Sequence, residues 1–140
     1  MAKILVVDDA ADVLWMEAAI LNKAGHQVAT CASGLEALKK LGIEPAEASV
    51  ELPDLVVLDL MMPQTDGYTV ATLIRNTPRT RGVPILVVSA LHEMSSPFTA
   101  AVRVDGFLSK PFPPEDLIGN VAKILDKSTE FGTLARPGAR

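Results

Sequence analysis

Five short runs dense in Val, Ile and Leu punctuate the chain, at residues 4–7, 28–31, 55–58, 85–88 and 106–108, and most are separated by stretches long enough for a helix. A strand with one face in water alternates apolar with polar residues, whereas these runs are apolar throughout. That is the pattern of strands buried on both faces, as in a parallel sheet covered by helices. Repeated βα units follow. Helices are predicted at about 11–24, ended by Gly25; about 34–41, opened by Ser33 and ended by Gly42; about 66–76, opened near Asp66; and about 114–127, entered through Pro113-Pro114. A further helix capped by Ser96 with Pro97 in its first turn has little room, because Asp105-Gly106 follows closely; two turns or a poorly ordered segment is expected. The connection over residues 42–53 is long for such a fold, and Glu44, Glu47 and Glu51 predict a solvated loop.

A chain of 140 residues that is 49% hydrophobic can bury one core, so a single domain over 1–127 is expected, with 128–140 as a frayed tail or linker stub. The formal net charge of −4, without a basic cluster, argues against direct binding to nucleic acid. Cys31 is the sole cysteine, which excludes an intramolecular disulfide and predicts a buried or half-buried thiol. The N-terminus is too short for a signal peptide, and no apolar run approaches the roughly 20 residues of a membrane span, so a cytoplasmic protein is expected.

The chemistry gathers where the apolar runs end. Asp8-Asp9, Asp59, Ser89 and Lys110 each fall at or just past the carboxyl end of a predicted strand, where open parallel sheets bind their ligands. Adjacent carboxylates repel one another, and a hard cation with oxygen ligands, Mg²⁺ or Mn²⁺, relieves that repulsion. Singly, each residue has an ordinary explanation: Asp8-Asp9 as a helix cap and a solvated acid, Asp59 as a turn residue, Lys110 as a surface lysine, Ser89 as a strand-end hydroxyl. Their occurrence together at corresponding strand ends is what points to a site.

The blocks Ile-Leu-Val-Val-Asp-Asp at 4–9, Pro-Asp-Leu-Val-Val-Leu-Asp-Leu-Met-Met-Pro at 53–63 with Asp66-Gly67, Pro-Ile-Leu-Val-Val-Ser-Ala at 84–90 and Phe-Leu-Ser-Lys-Pro-Phe at 107–112 resemble the response-regulator receiver family of two-component signalling. The resemblance runs over about residues 3–126 and implies a flavodoxin-like, doubly wound (βα)₅ fold with strand order 2-1-3-4-5. It further implies Asp59 as phosphoacceptor, Asp8, Asp9 and the Met61 carbonyl as metal ligands beside it, Lys110 as the contact to the phosphoryl group through a cis bond to Pro111, and Ser89 with Phe107 as the switch pair. The physical requirements agree, since a carboxylate attacks an anionic phosphoryl donor only where cations neutralise the charge. The implied partners are a histidine kinase or histidine phosphotransfer domain and an unidentified downstream protein, with no output domain for DNA binding in these residues.

Three details refine the expectation. Phe107 carries no hydroxyl, so it is either inward core or an apolar contact for a partner, and with the short helix near Ser96 this predicts a modified output surface. In the first helix Val13, Met16, Ile20 and Ala24 form the expected core stripe, leaving Leu14, Trp15 and Ala18 outward as a docking surface for the phosphodonor or a second copy, the alternative being that Trp15 folds against neighbouring side chains or that the helix takes another register. Met61 and Leu91 position no water, so slow self-dephosphorylation is expected, and no turnover enzyme. An aspartyl-phosphate phosphatase would carry a second acid two residues after Asp59, but Met61 stands there. A phosphate-independent interaction module is the remaining alternative.

Overall fold

The computed structural model describes residues 2–60, 62, 65–90 and 102–135, with side chains described through residue 127. Its elements are β1 (Lys3–Val7), α1 (Ala11–Lys23), β2 (Gln27–Cys31), α2 (Gly34–Lys40), β3 (Leu55–Asp59), α3 (Gly67–Asn76), β4 (Ile85–Ala90), β5 (Gly106–Lys110) and α4 (Pro114–Ala135). The five strands pair in parallel in the order β2-β1-β3-β4-β5, the flavodoxin-like order expected. The helix expected near Ser96 lies outside the described residues.

Apolar runs without alternation give this sheet two cores. Leu5, Val7, Val56, Leu58, Ile85 and Val87 pack on the side of α2 and α3, while Ile4, Val6, Leu55, Val57, Leu86 and Val88 pack on the side of α1 and α4. Every residue of the central β3 is buried, whereas the edge strand β2 leaves Gln27, Ala29 and Thr30 exposed. Two helix starts are fixed by side-chain caps read in the sequence. Ser33 Oγ accepts from the Glu36 N–H at 3.1 Å, and Asp66 Oδ1 from the Thr69 N–H at 2.8 Å.

Helix α1 corrects the sequence reading. It buries Leu14, Glu17 and Leu21, while Met16 and Ala24 of the expected stripe are exposed and Val13 and Ile20 half-buried. Leu14, expected outward, is 6% exposed and belongs to the core; Ala18 is half-buried; of the three expected outward residues Trp15 alone stands clear, at 79% exposed. The physical reason is that leucines at i and i+7 define a better apolar stripe than the one chosen, and the helix rotates to bury them. The rotation carries the intervening Glu17 inward, where an ionised carboxylate is costly unless compensating charge stands beside it or the group keeps its proton.

Elsewhere the differences are smaller. Helix α4 buries Leu117, Val121 and Ile124 and continues past the expected end near 127 to Ala135, no proline standing in its way before Pro137. The long connection exposes Glu44 and Glu47 as expected, but Ile43 and Leu52 pack against the core and Arg79 donates to the Leu41 and Val50 carbonyls. Arg75, at the end of α3, gathers the far edge of the sheet. Its guanidinium donates to the Arg103, Arg81 and Val83 carbonyls at 2.7, 3.0 and 2.7 Å and to Asp105 Oδ2 at 3.1 Å. Among the described residues no helix is long and apolar enough to cross a membrane.

Candidate functional site

Register alone brings the strand ends together. Val7 pairs with Leu58, Asp59 with Val88, Ser89 with Ser109 and Ala90 with Lys110, so Asp8, Asp59, Ser89 and Lys110 meet at the carboxyl edge of four adjacent strands. Each carboxylate is set by its local turn. The Asp8 N–H extends the β1–β2 ladder to the Cys31 carbonyl at 3.1 Å, and Asp8 Oδ1 accepts from the Ala10 N–H at 2.9 Å, which leaves Oδ2 for the site. Asp59 is set by Gly67, because a Cβ there would lie 2.2 Å from the Asp59 carbonyl oxygen and 2.7 Å from Leu60 Cα. Only a glycine lets the start of α3 approach this closely, and its N–H donates to the Leu60 carbonyl at 2.9 Å.

The result is a compact charged cluster. One carboxylate oxygen each from Asp8, Asp9 and Asp59 can be chosen so that all lie within 4.8 Å of one another. Lys110 Nζ stands 3.0 Å from Asp8 Oδ2 and 3.5 Å from Asp59 Oδ1. Asp8, Asp59 and Ser89 are buried, Lys110 is half-buried and Asp9 is open to solvent. Burial pulls the Lys110 ammonium down, but its hydrogen bond to Asp8 and the charges of Asp59, Asp8 and Glu17 outweigh this and hold it above its ordinary value. An all-oxygen set of three carboxylates fits a hard divalent cation and not a soft one.

The remaining sequence candidates fall in three groups. Phe107 is half-buried and packs against the core on the α3 side, and the Lys110–Pro111 peptide is cis. Met61 and Leu91 lie outside the described residues. Cys31 is buried, and burial pushes its thiol up to about 11.

Glu17 was missed by the sequence reading. It is 1% exposed, and among the described residues its Oε2 has no hydrogen-bond partner. Desolvation first, then the charges of Asp8 and Asp59, push its carboxyl up to about 8 against the opposing pull of Lys110. The signal was available: Glu17 is the one acid between Leu14 and Leu21 on their stripe.

Comparison with known proteins agrees with this architecture. The family model described as the response regulator receiver domain matches residues 4–122. The chain is 35% identical over 127 residues to the alkaline phosphatase synthesis transcriptional regulatory protein PhoP of Bacillus subtilis, a match covering 90% of this chain and 49% of that protein. It thus spans about half the length of this and the other transcriptional regulators it matches. Among solved structures, the Vibrio cholerae chemotaxis protein CheY4 is 32% identical with a TM-score of 0.76, covering 89% of this chain and 98% of that one. The receiver domain of the sensor histidine kinase PA1611 from Pseudomonas aeruginosa, solved with a magnesium ion coordinated in its active site cleft, shares the fold at 23% identity, with a TM-score of 0.77 over 89% of this chain and 98% of its own.

Proposed function

Because this chain belongs to the response regulator receiver family, we propose that it accepts a phosphoryl group on Asp59 from a phosphohistidine donor, a histidine kinase or histidine phosphotransfer domain, and relays the change through protein contacts in the cytoplasm. The observation that carries this reading is the Lys110 ammonium between Asp8 Oδ2 and Asp59 Oδ1, at 3.0 and 3.5 Å, with Asp9 completing the acidic set.

In the proposed reaction a carboxylate oxygen of Asp59 attacks phosphorus in line. The new O–P bond forms as the N–P bond to the donor histidine breaks, its electron pair returning to the ring nitrogen. Asp59 is held for this by β3 and by the close approach of Gly67, so little orientation remains to be fixed when the donor arrives. Lys110 neutralises one phosphoryl oxygen from the β5 side, and the Ser89 hydroxyl donates to another from the end of β4. Mg²⁺ or Mn²⁺, held by Asp8, Asp9, Asp59 and the Met61 carbonyl, would supply the remaining positive charge at the phosphoryl oxygens. The product stays on the protein's own side chain, so the chain acts as substrate and slow self-hydrolase, not as a turnover enzyme. The homology to transcriptional regulators extends the proposal to a phosphorylation-controlled output elsewhere in a longer protein, whose DNA contacts belong to those relatives.

Intact mass after incubation with acetyl phosphate tests this. One phosphoryl group is expected on the wild type with Mg²⁺, and none on Asp59→Asn or without the metal. Absence of any gain, with phosphorylated donor protein as well as with acetyl phosphate, would leave the phosphate-independent interaction module as the better reading.

A further inference from the structure

One buried group at this site is not used by the proposed reaction. Glu17 sits on the buried stripe of α1 between Leu14 and Leu21, where a leucine would complete an apolar face. It is instead an acid, 1% exposed, whose Oε2 has no hydrogen-bond partner among the described residues. A buried polar atom without a partner is destabilising, and in native proteins it calls for a missing water, an ion or a functional role. The charged groups that Glu17 interacts with are Asp8, Lys110 and Asp59, the core of the site described above. It is not among the carboxylates whose oxygens lie within 4.8 Å of one another. The Lys110 ammonium is already shared between Asp8 and Asp59.

We propose that Glu17 is a fourth acidic determinant of the cation site, acting from the outer shell to strengthen divalent-cation binding by Asp8, Asp9 and Asp59. The inference rests on the reading of those three residues as a cation site. Groups in the outer shell of a metal site orient its ligands and set its charge, and removing them costs affinity even though they never touch the ion. The arrangement also explains why an acid persists in an apolar stripe: its burial is unfavourable in the empty site and is offset when positive charge is added beside it.

The test is Mg²⁺ binding by isothermal calorimetry on the wild type, Asp9→Asn, Glu17→Gln and Glu17→Leu, together with thermal melts with and without Mg²⁺. Both Glu17 variants are expected to bind Mg²⁺ roughly 10–100-fold more weakly, while Glu17→Leu melts no lower than wild type in EDTA. A purely structural role would change the melting temperature and leave the affinity alone. Affinities within about twofold of wild type in both variants, a change too small for an outer-shell group, would overturn the inference. If Asp9→Asn then still loses binding, the three-carboxylate site survives without Glu17; if the wild type itself binds no Mg²⁺, both readings fall. A second readout needs no variant. The assigned carboxyl ¹³C resonance of Glu17 in the wild type is expected to move in step with Mg²⁺ saturation, and a resonance that stays fixed would count against the proposal even if the variants failed to fold.

Discussion

Lys110 occupies two carboxylates that a cation would also claim. Replacing it by methionine, Lys110→Met, removes the ammonium from beside Asp8 Oδ2 and Asp59 Oδ1. The variant is expected to bind Mg²⁺ more tightly, by roughly tenfold for an ion-pair competition of about 1.4 kcal/mol, yet to accept phosphoryl groups more slowly. Calorimetry and intact mass would measure the two effects, and a parallel fall in both would show that the lysine organises the site instead of competing for it. Glu17 sets a pH dependence whose sign is opposite to that of a salt-bridged acid. Its carboxyl ionises at about 8 in the fold against an ordinary value of 4.5, so between those pH values the native state holds a proton that the unfolded chain has lost. Metal-free protein is therefore expected to lose stability as pH rises from about 4.5 to about 8, by a total on the order of a few kcal/mol, and Glu17→Leu to lose much less. Urea unfolding in EDTA across this range checks it. The place of Lys110 beside the carboxylates was legible as a strand-end position, whereas the Glu17 effect was not, because it depends on which way α1 is turned.

At the scale of elements, one contact between α3 and β3 decides how firmly Asp59 is held. Gly67→Ala drives a methyl into the Asp59 carbonyl and Leu60 Cα, and since backbone cannot yield as a flexible side chain does, the strand end must shift. A loss of about 1–3 kcal/mol in unfolding free energy is expected, with phosphorylation slowed more than the stability change alone explains. Unaltered kinetics would show that the strand end tolerates movement. Glycine at this point was readable as part of the Asp66-Gly67 block, though its steric reason was not. Helix caps at Ser33 and Asp66 and the five strands were readable because turn chemistry and unbroken apolar runs are local properties. The rotation of α1 was not, since Val13, Met16 and Ile20 make a plausible stripe until Leu14 and Leu21 are seen to lie over Ile4, Val6 and Val57. The guanidinium of Arg75 likewise binds residues up to 30 positions away, which no local pattern announces.

For the whole molecule, the sheet is most secure at its centre. Strand β3 is paired on both sides and buried throughout, whereas β2 is paired on one side and exposed over Gln27, Ala29 and Thr30. Amide hydrogen exchange is expected to be slowest at Val56, Val57 and Leu58 and at least tenfold faster across β2, as follows when edges open at lower free energy than the global transition. Uniform protection across all five strands would mean that the sheet opens only as a unit. The strand order itself was legible only through the receiver resemblance, because apolar runs disclose that strands are buried but not which ones are neighbours.

The all-parallel pairing also bears on how the chain reaches this state. A parallel ladder cannot grow out of a tight hairpin, so each of the four ladders waits for a crossover to close before its first hydrogen bond forms. Its ladder contacts are therefore distant in sequence, and packing of α1 and α4 against Ile4, Val57 and Leu86 is expected to form alongside them. A nucleus so assembled would set the tempo of the whole transition, and the acidic edge would be born late, after the scaffold that carries it.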